Sequence, residues 1–157
     1  DALWEYQRNI WKDQNVKPNL SHGFEKGKSI LTNAKIHRNK RYVLNLDLEN
    51  FFDSFHFGRV RGFFEKNRNF QLPLEVATVM AQLTCFEGKL PQGAPTSPVI
   101  TNFMCQILDH RLLRIAKHYK LDYTRYADDL TFSTNHKDFL EIKDQFLHEI
   151  QKEIHHA

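Results

Sequence analysis

Tyr123-Thr124-Arg125-Tyr126-Ala127-Asp128-Asp129-Leu130-Thr131-Phe132-Ser133 reads as two runs rich in Tyr, Thr and Phe that meet at adjacent aspartates. β-Branched and aromatic residues favour strands, so the stretch predicts a hairpin with Asp128 and Asp129 at its tip. Asp is also a preferred turn residue whose carboxylate can bond the turn backbone, so turn chemistry by itself explains the pair. A third carboxylate changes the balance. In Tyr42-Val43-Leu44-Asn45-Leu46-Asp47-Leu48, Asp47 stands between leucines at the end of an apolar strand. An ionised Asp is costly to bury there without a cationic partner or a metal. The basic run of Lys35, Arg38, Lys40 and Arg41 around His37 offers an ion pair. If strand and hairpin lie side by side, however, three carboxylates converge and each raises the cost of ionising the others. Hard divalent cations with oxygen ligands relieve that repulsion. Such a cluster is what two-metal phosphoryl transfer requires.

Composition bounds the rest. The 157 residues, 41% of them hydrophobic, make one domain's worth of chain with a real core. A net charge of +3 suits a polyanionic partner without identifying one. Cys85 and Cys105 show neither CxxC spacing nor the density of a disulfide scaffold, which predicts buried thiols in a reducing, cytoplasmic setting. The nine histidines show no zinc spacing. No apolar run approaches the roughly 20 residues of a membrane span, and no signal-peptide pattern occurs, so no membrane partner is expected. The chain opens with Asp1 rather than Met, and the native N-terminus is expected upstream.

Asp1 can cap a first helix in which Leu3, Tyr6 or Gln7, Ile10 and Trp11 recur at helical spacing. Val16 to His22 reads as a loop, and Gly23 and Gly27 bracket the next turn. A helix from Ser29 to about His37 puts Asn33 and His37, four apart, on one face. After a strand from Arg41 to Leu48, the aromatics between Phe51 and Phe57 are too dense for an exposed loop and are expected mostly in the core. Phe57 to Lys66 and Leu74 to Thr84 are amphipathic helices, the second opened by Pro73. Ser97 as N-cap and Pro98 at the first helical position start a long helix with Ile100, Met104, Ile107, Leu108, Leu112 and Ile115 inward. A last helix begins at Asn135 or His136, with Phe139, Ile142, Phe146, Leu147 and Ile150 on one stripe. Strand, long helix, hairpin and helix make most of a split βαβ layout, an α+β antiparallel sheet with helices on one face.

Tyr126-Ala127-Asp128-Asp129 resembles the YxDD box of reverse transcriptases, with Asp47 in the position of the first catalytic aspartate. Leu90-Pro91-Gln92-Gly93-Ala94-Pro95-Thr96-Ser97-Pro98 resembles the same family's LPQG…SP segment. Asn33-Ala34-Lys35-Ile36-His37 is similar to the NAxxH box of bacterial retron-type reverse transcriptases, and His22-Gly23-Phe24 fits the same group. These motifs stand in the family's order, and the resemblance runs from about Leu3 to Ser133.

The resemblance implies the α+β palm of a right-hand polymerase over residues 41–157, part of the fingers and their connection over residues 1–40, and no thumb within the chain. It implies RNA-directed DNA synthesis of the retron kind, with nucleotidyl transfer from a dNTP to a primer 3′-hydroxyl. The partners would be an RNA template, a DNA primer strand, dNTPs and a structured non-coding RNA. Asp47, Asp128 and Asp129 would be the catalytic carboxylates, Asp129 the least direct of them. With the Leu48 carbonyl they would hold two Mg2+ ions, or Mn2+ as a substitute. The amides of Asn50 and Phe51, with Phe52, Gln92 and Gly93, would face the incoming nucleotide, and the Phe52 ring would exclude a 2′-hydroxyl. Tyr126 would sit beneath the primer terminus. Asn33 and His37 would take an RNA-contact or scaffold role. Two rivals fit the same residues: a non-catalytic RNA- or partner-binding fragment, and a group II intron or diversity-generating reverse transcriptase. In the family, basic finger residues precede the first helix, and a further motif and a thumb follow the last. The 157 residues are therefore expected to bind metal while extending primers weakly or not at all.

Overall fold

Along Tyr42–Asp47, half-buried and exposed residues alternate strictly, the period of a strand with one covered face. This strand, β1, pairs antiparallel with β3 (Asp129–Thr134), which pairs antiparallel with β2 (Asp122–Tyr126). The sheet order is β1-β3-β2. Around it the chain forms α1 (Ile30–His37), α2 (Phe57–Lys66), α3 (Leu74–Thr84), α4 (Ser97–His118) and α5 (Phe139–His155). The structure is a computed structural model that describes Glu5, Asn9 and residues 20–156. Glu5 and Asn9 are helical and exposed, whereas Leu3, Tyr6, Gln7, Ile10 and Trp11 of the expected first helix lie outside the described residues.

Register decides what each face of the sheet carries. Leu44, Phe132 and Tyr123 form one cross-strand row, and Leu46, Leu130 and Arg125 the next. Leu44, Leu46, Tyr123, Leu130 and Phe132 join Leu108, Leu112 and Ala116 of α4 and Phe139, Phe146 and Ile150 of α5 in one core. Phe132 sits at its centre, fully buried, stacked on Tyr123 with ring centroids 4.8 Å apart and edge-on to Phe146 at 5.1 Å. The opposite face carries Asp47, Asn45, Tyr126, Thr124, Asp129, Thr131 and Ser133, because side chains alternate along a strand. Helix α1 docks on that opposite face through His37, which bonds Thr124 and Ser133. The two helices of the strand, long helix, hairpin and helix layout, α4 and α5, share the apolar face as expected, whereas α1, from the segment ahead of that layout, is attached to the other face by polar hydroxyls rather than apolar contacts.

Among the described residues, Glu49–Met104 form one compact unit, and residues 20–48 with 105–156 form the other. The segment before β1 belongs with the sheet, since His22 N–H donates to the Arg125 carbonyl at 2.7 Å and Arg125 N–H to the Leu20 carbonyl at 2.7 Å. In the unit Glu49–Met104, α2 packs on α3, and Phe63, Phe64, Phe70 and Phe103 cluster edge to face. Phe51 and Phe55 are buried, as their aromatic neighbourhood predicted.

Two expectations about α4 are corrected. Ser97 is the first helical residue rather than the cap: the Ile100 N–H donates to the Thr96 carbonyl, and the Ser97 hydroxyl donates to the Pro91 carbonyl at 2.8 Å. Ile107, expected inward, is 61% exposed, and the buried line runs instead through Ile100, Phe103, Leu108, Leu112 and Ala116. Helix α5 starts at Phe139, later than Asn135 or His136, because His136 N–H is taken by the Thr134 hydroxyl at 3.0 Å.

Candidate active site

Tyr126 and Asp129 close a two-residue hairpin loop, Ala127-Asp128. Such loops need positive φ, and Ala127 supplies it at φ 55, an uncommon state for a residue with a Cβ. Three contacts hold the loop. Arg125 Nη1 donates to the Ala127 carbonyl at 3.0 Å, and Leu48 N–H donates to the Asp128 carbonyl at 3.1 Å. Gly23 presses on the loop from the segment beside β2, where a Cβ would lie 2.6 Å from the Ala127 nitrogen. Only glycine fits that approach.

The bond from Leu48 to Asp128 makes Asp47 and Asp129, direct partners across β1 and β3, a non-hydrogen-bonded pair. In such pairs the Cα atoms are about 4.5 Å apart and the side chains are at their closest. Asp47, Asp129 and Tyr126 thus form one row on the face away from α4 and α5, with Asp128 on the adjoining tip. Asp47 and Asp129 are exposed, Asp128 and Tyr126 half-buried. Burial, then the charges of Asp128 and Asp47, hold the Asp129 carboxyl above its usual range. Among the described residues no Lys, Arg or His bridges any of the three. Of the basic run Lys35 to Arg41 that offered an alternative partner for Asp47, Lys40 pairs with Asp122 instead.

Among the described residues, no three His, Cys, Asp or Glu side chains are gathered into a ready cation cage. The expected convergence is therefore a facing pair with a third carboxylate beside it, electrostatically coupled but not closed. The donor set fits a hard divalent cation nonetheless. All three side chains are carboxylates, and the repulsion from Asp128 and Asp47 that adds to burial in raising Asp129 is what a bound cation would remove.

Behind the tip lies a polar network that the sequence reading missed. Arg125 is wholly buried and grips Asp109 of α4 with two bonds, Nε to Oδ1 at 2.8 Å and Nη2 to Oδ2 at 2.9 Å. Tyr123 donates its hydroxyl to Asp109 Oδ1 at 2.8 Å. Burial, then the Asp109 charge, push the Tyr123 phenol well up, so it remains a donor. Burial opposes the Arg125 charge, but Asp109 outweighs it and the guanidinium stays protonated. A lone Asp in an amphipathic helix and an Arg in a strand carry no sequence mark of pairing.

Asn33 and His37 of the second box are scaffold in their observed contacts. Thr124 donates its one hydroxyl proton to Asn33 Oδ1, so it must accept from His37 Nε2 at 2.7 Å. In the neutral ring the proton therefore sits on Nε2, and Nδ1 accepts from Ser133 Oγ at 2.6 Å. Burial lowers the His37 pKa, with Asp122 pulling it up and Lys40 down. The unfolded chain therefore takes up a proton at higher pH than the folded one. The stability His37 contributes is complete above its ordinary value of 6.5 and is lost as pH falls below it toward the folded value. Between about pH 7.5 and about pH 5.5, the urea midpoint should fall more steeply in the parent than in a non-titrating His37→Gln variant. Equal slopes would show that His37 titrates alike in both states.

The other predicted site residues belong to Glu49–Met104, apart from Leu48, which is half-buried at the end of β1. Asn50 is exposed at φ 53, and its carbonyl accepts from Ser54 N–H at 2.9 Å. Phe51 is buried, whereas Phe52 is half-buried in a 3₁₀ turn, edge-on to Phe51 at 5.2 Å. Gln92 and Gly93 are exposed in a turn, with Gly93 at φ 88.

The sequence model of the family described as reverse transcriptase (RNA-dependent DNA polymerase) matches residues 5–156. Retron Ec86 reverse transcriptase of Escherichia coli is 43% identical over 126 residues, covering 80% of this chain and 38% of the relative. Retron Mx162 reverse transcriptase of Myxococcus xanthus is 44% identical over 128 residues, covering 72% of this chain and 26% of the relative. Retron Mx65 reverse transcriptase, also of Myxococcus xanthus, is 40% identical over 131 residues, covering 72% and 30%. The chain thus spans only 26% to 38% of these relatives. No described helix is long and apolar enough to cross a membrane. Adjacent aspartates on a pinned hairpin, opposite a third on the neighbouring strand, are now joined by matches over nearly the whole chain, and the chain belongs to the reverse transcriptase family, in its retron-type group.

Proposed function

We propose that the sheet unit is the palm of an RNA-directed DNA polymerase, and that Asp47, Asp128 and Asp129 are its catalytic carboxylates. The observation that carries this is the direct pairing of Asp47 with Asp129 beside Asp128, three carboxylates with no cationic side chain bridging them among the described residues. Asp47, Asp128 and the Leu48 carbonyl would hold two Mg2+ ions, or Mn2+, with Asp129 as further ligand or support. When bound, the metal would lower the pKa of a primer 3′-hydroxyl and neutralise charge on the leaving pyrophosphate. The chain itself supplies rigidity: the backbone of the loop that carries Asp128 is pinned from both sides before substrate arrives. Tyr126, in the same row as Asp129, would support the primer terminus.

The substrates would be dNTPs and a DNA primer on an RNA template, with a structured non-coding RNA as the retron-type partner. Asn50, Phe51, Gln92 and Gly93 would contact the nucleotide. His37 and Asn33 would serve the template side by holding the sheet that α1 covers. Free Cys85 and Cys105 suit a reducing compartment and support action in the cytoplasm.

Phe52 is the residue through which selectivity can be tested. Unlike Phe51 it is not buried, so it has surface to offer a sugar. In the full-length enzyme, Phe52→Ala should lower the ratio of kcat/KM for dNTP over rNTP by about tenfold or more while RNA-templated extension persists. An unchanged ratio accompanied by a stability loss of about 3 kcal/mol would show that the ring is core instead.

A further inference from the structure

We propose that Asp109 and Arg125 are positioning residues that set the direction of Asp128, an inference that rests on the reading of Asp128 as catalytic. Stability does not account for the pair. Buried ion pairs return little net stability, and apolar residues of similar volume commonly do as well or better. What an apolar pair cannot supply is a directed donor. The guanidinium is a rigid planar fork, so gripping both Asp109 oxygens through Nε and Nη2 leaves Nη1 aimed in one direction. That direction ends on the Ala127 carbonyl at 3.0 Å.

The Ala127 carbonyl belongs to the peptide plane that enters Asp128, and the plane that leaves Asp128 is bonded through its own carbonyl to Leu48 N–H. Each peptide is planar, so fixing both planes fixes the Asp128 Cα and the vector of its side chain. One pin comes from β1. The other comes from α4, whose Asp109 is itself held by the Tyr123 hydroxyl at 2.8 Å. The arrangement matters because Ala127 is kept at φ 55, which it would leave if released. A helix in the apolar core thereby sets the geometry of a carboxylate on the turn beyond the sheet.

The test replaces the pair by apolar residues, Asp109→Leu with Arg125→Met, which removes the directed donor without leaving a buried charge. The readout is amide hydrogen exchange by NMR on the 15N-labelled chain, followed by Mn2+ titration. Leu48 N–H, the partner of the Asp128 carbonyl, should exchange at least about tenfold faster relative to Phe132 N–H in the sheet centre. Mn2+ affinity should weaken by about tenfold, the usual scale for residues supporting metal ligands. Parent-like protection of Leu48 with parent-like Mn2+ affinity would overturn the proposal. If the double variant does not fold, Arg125→Lys keeps the charge opposite Asp109 but lacks the fork. Faster Leu48 exchange there supports the proposal, and parent-like exchange overturns it. The amide readout requires no catalysis, so a full-length enzyme inactive on every primed template would count against the polymerase reading alone.

Discussion

Asn in place of Asp128 is expected to lower RNA-templated DNA synthesis by the full-length enzyme at least about 1,000-fold, the scale seen when one preorganised charge-stabilising group is lost from an active site. The substitution is nearly isosteric, and Asn is as suited to a turn as Asp, so the loop's bonds to Arg125 and Leu48 should remain. Stability should hold or rise slightly, because the charge of Asp128 is one of those that hold the Asp129 carboxyl above its usual range. Loss of synthesis with an unchanged thermal midpoint therefore separates chemistry from folding. Extension within about threefold of the parent would remove Asp128 from the catalytic set.

Phe132→Ala should cost about 3–5 kcal/mol of unfolding free energy, the range for truncating a fully buried aromatic. Phe132 lies on the central strand, is fully buried, and touches Tyr123 on β2 and Phe146 on α5, so few neighbours can move inward to fill the space. The same ring backs the strand that presents Asp129 from its other end. Urea unfolding measures the loss directly. A cost below about 1 kcal/mol would mean that the apolar face of the sheet is not the centre of the core.

Alternation and spacing made much of the fold legible. The hairpin, the strand ending at Asp47 and the two helices Phe57–Lys66 and Leu74–Thr84 follow from local pattern, because each element shows its period within a few residues. Longer-range choices were not legible in the same way. Ile107 fits the helical stripe but is exposed, since apolar spacing identifies a helix without saying which edge of the stripe meets a partner. Ser97 reads as a cap, yet tertiary contact spends its hydroxyl on Pro91. Gly23 looked like ordinary turn punctuation, and its meaning depends on Ala127, far along the chain. The carboxylates could be named one by one from motif order, but their facing relation needed the register of β1 on β3. Asp109 and Arg125 were silent for the same reason: a buried ion pair is a property of two distant positions together, and neither residue alone departs from what a helix or a strand tolerates.

Asp47, Asp128 and Asp129 are proposed to make one divalent-cation site together. Crystals of the chain soaked in Mn2+ and measured at the manganese absorption edge test it most directly. An anomalous peak is expected between the Asp47 and Asp128 carboxylates, absent from an Asp47→Asn, Asp128→Asn double variant that retains the sheet. Anomalous density only elsewhere, with the Asp47 and Asp128 carboxyl groups pointing apart, would contradict it.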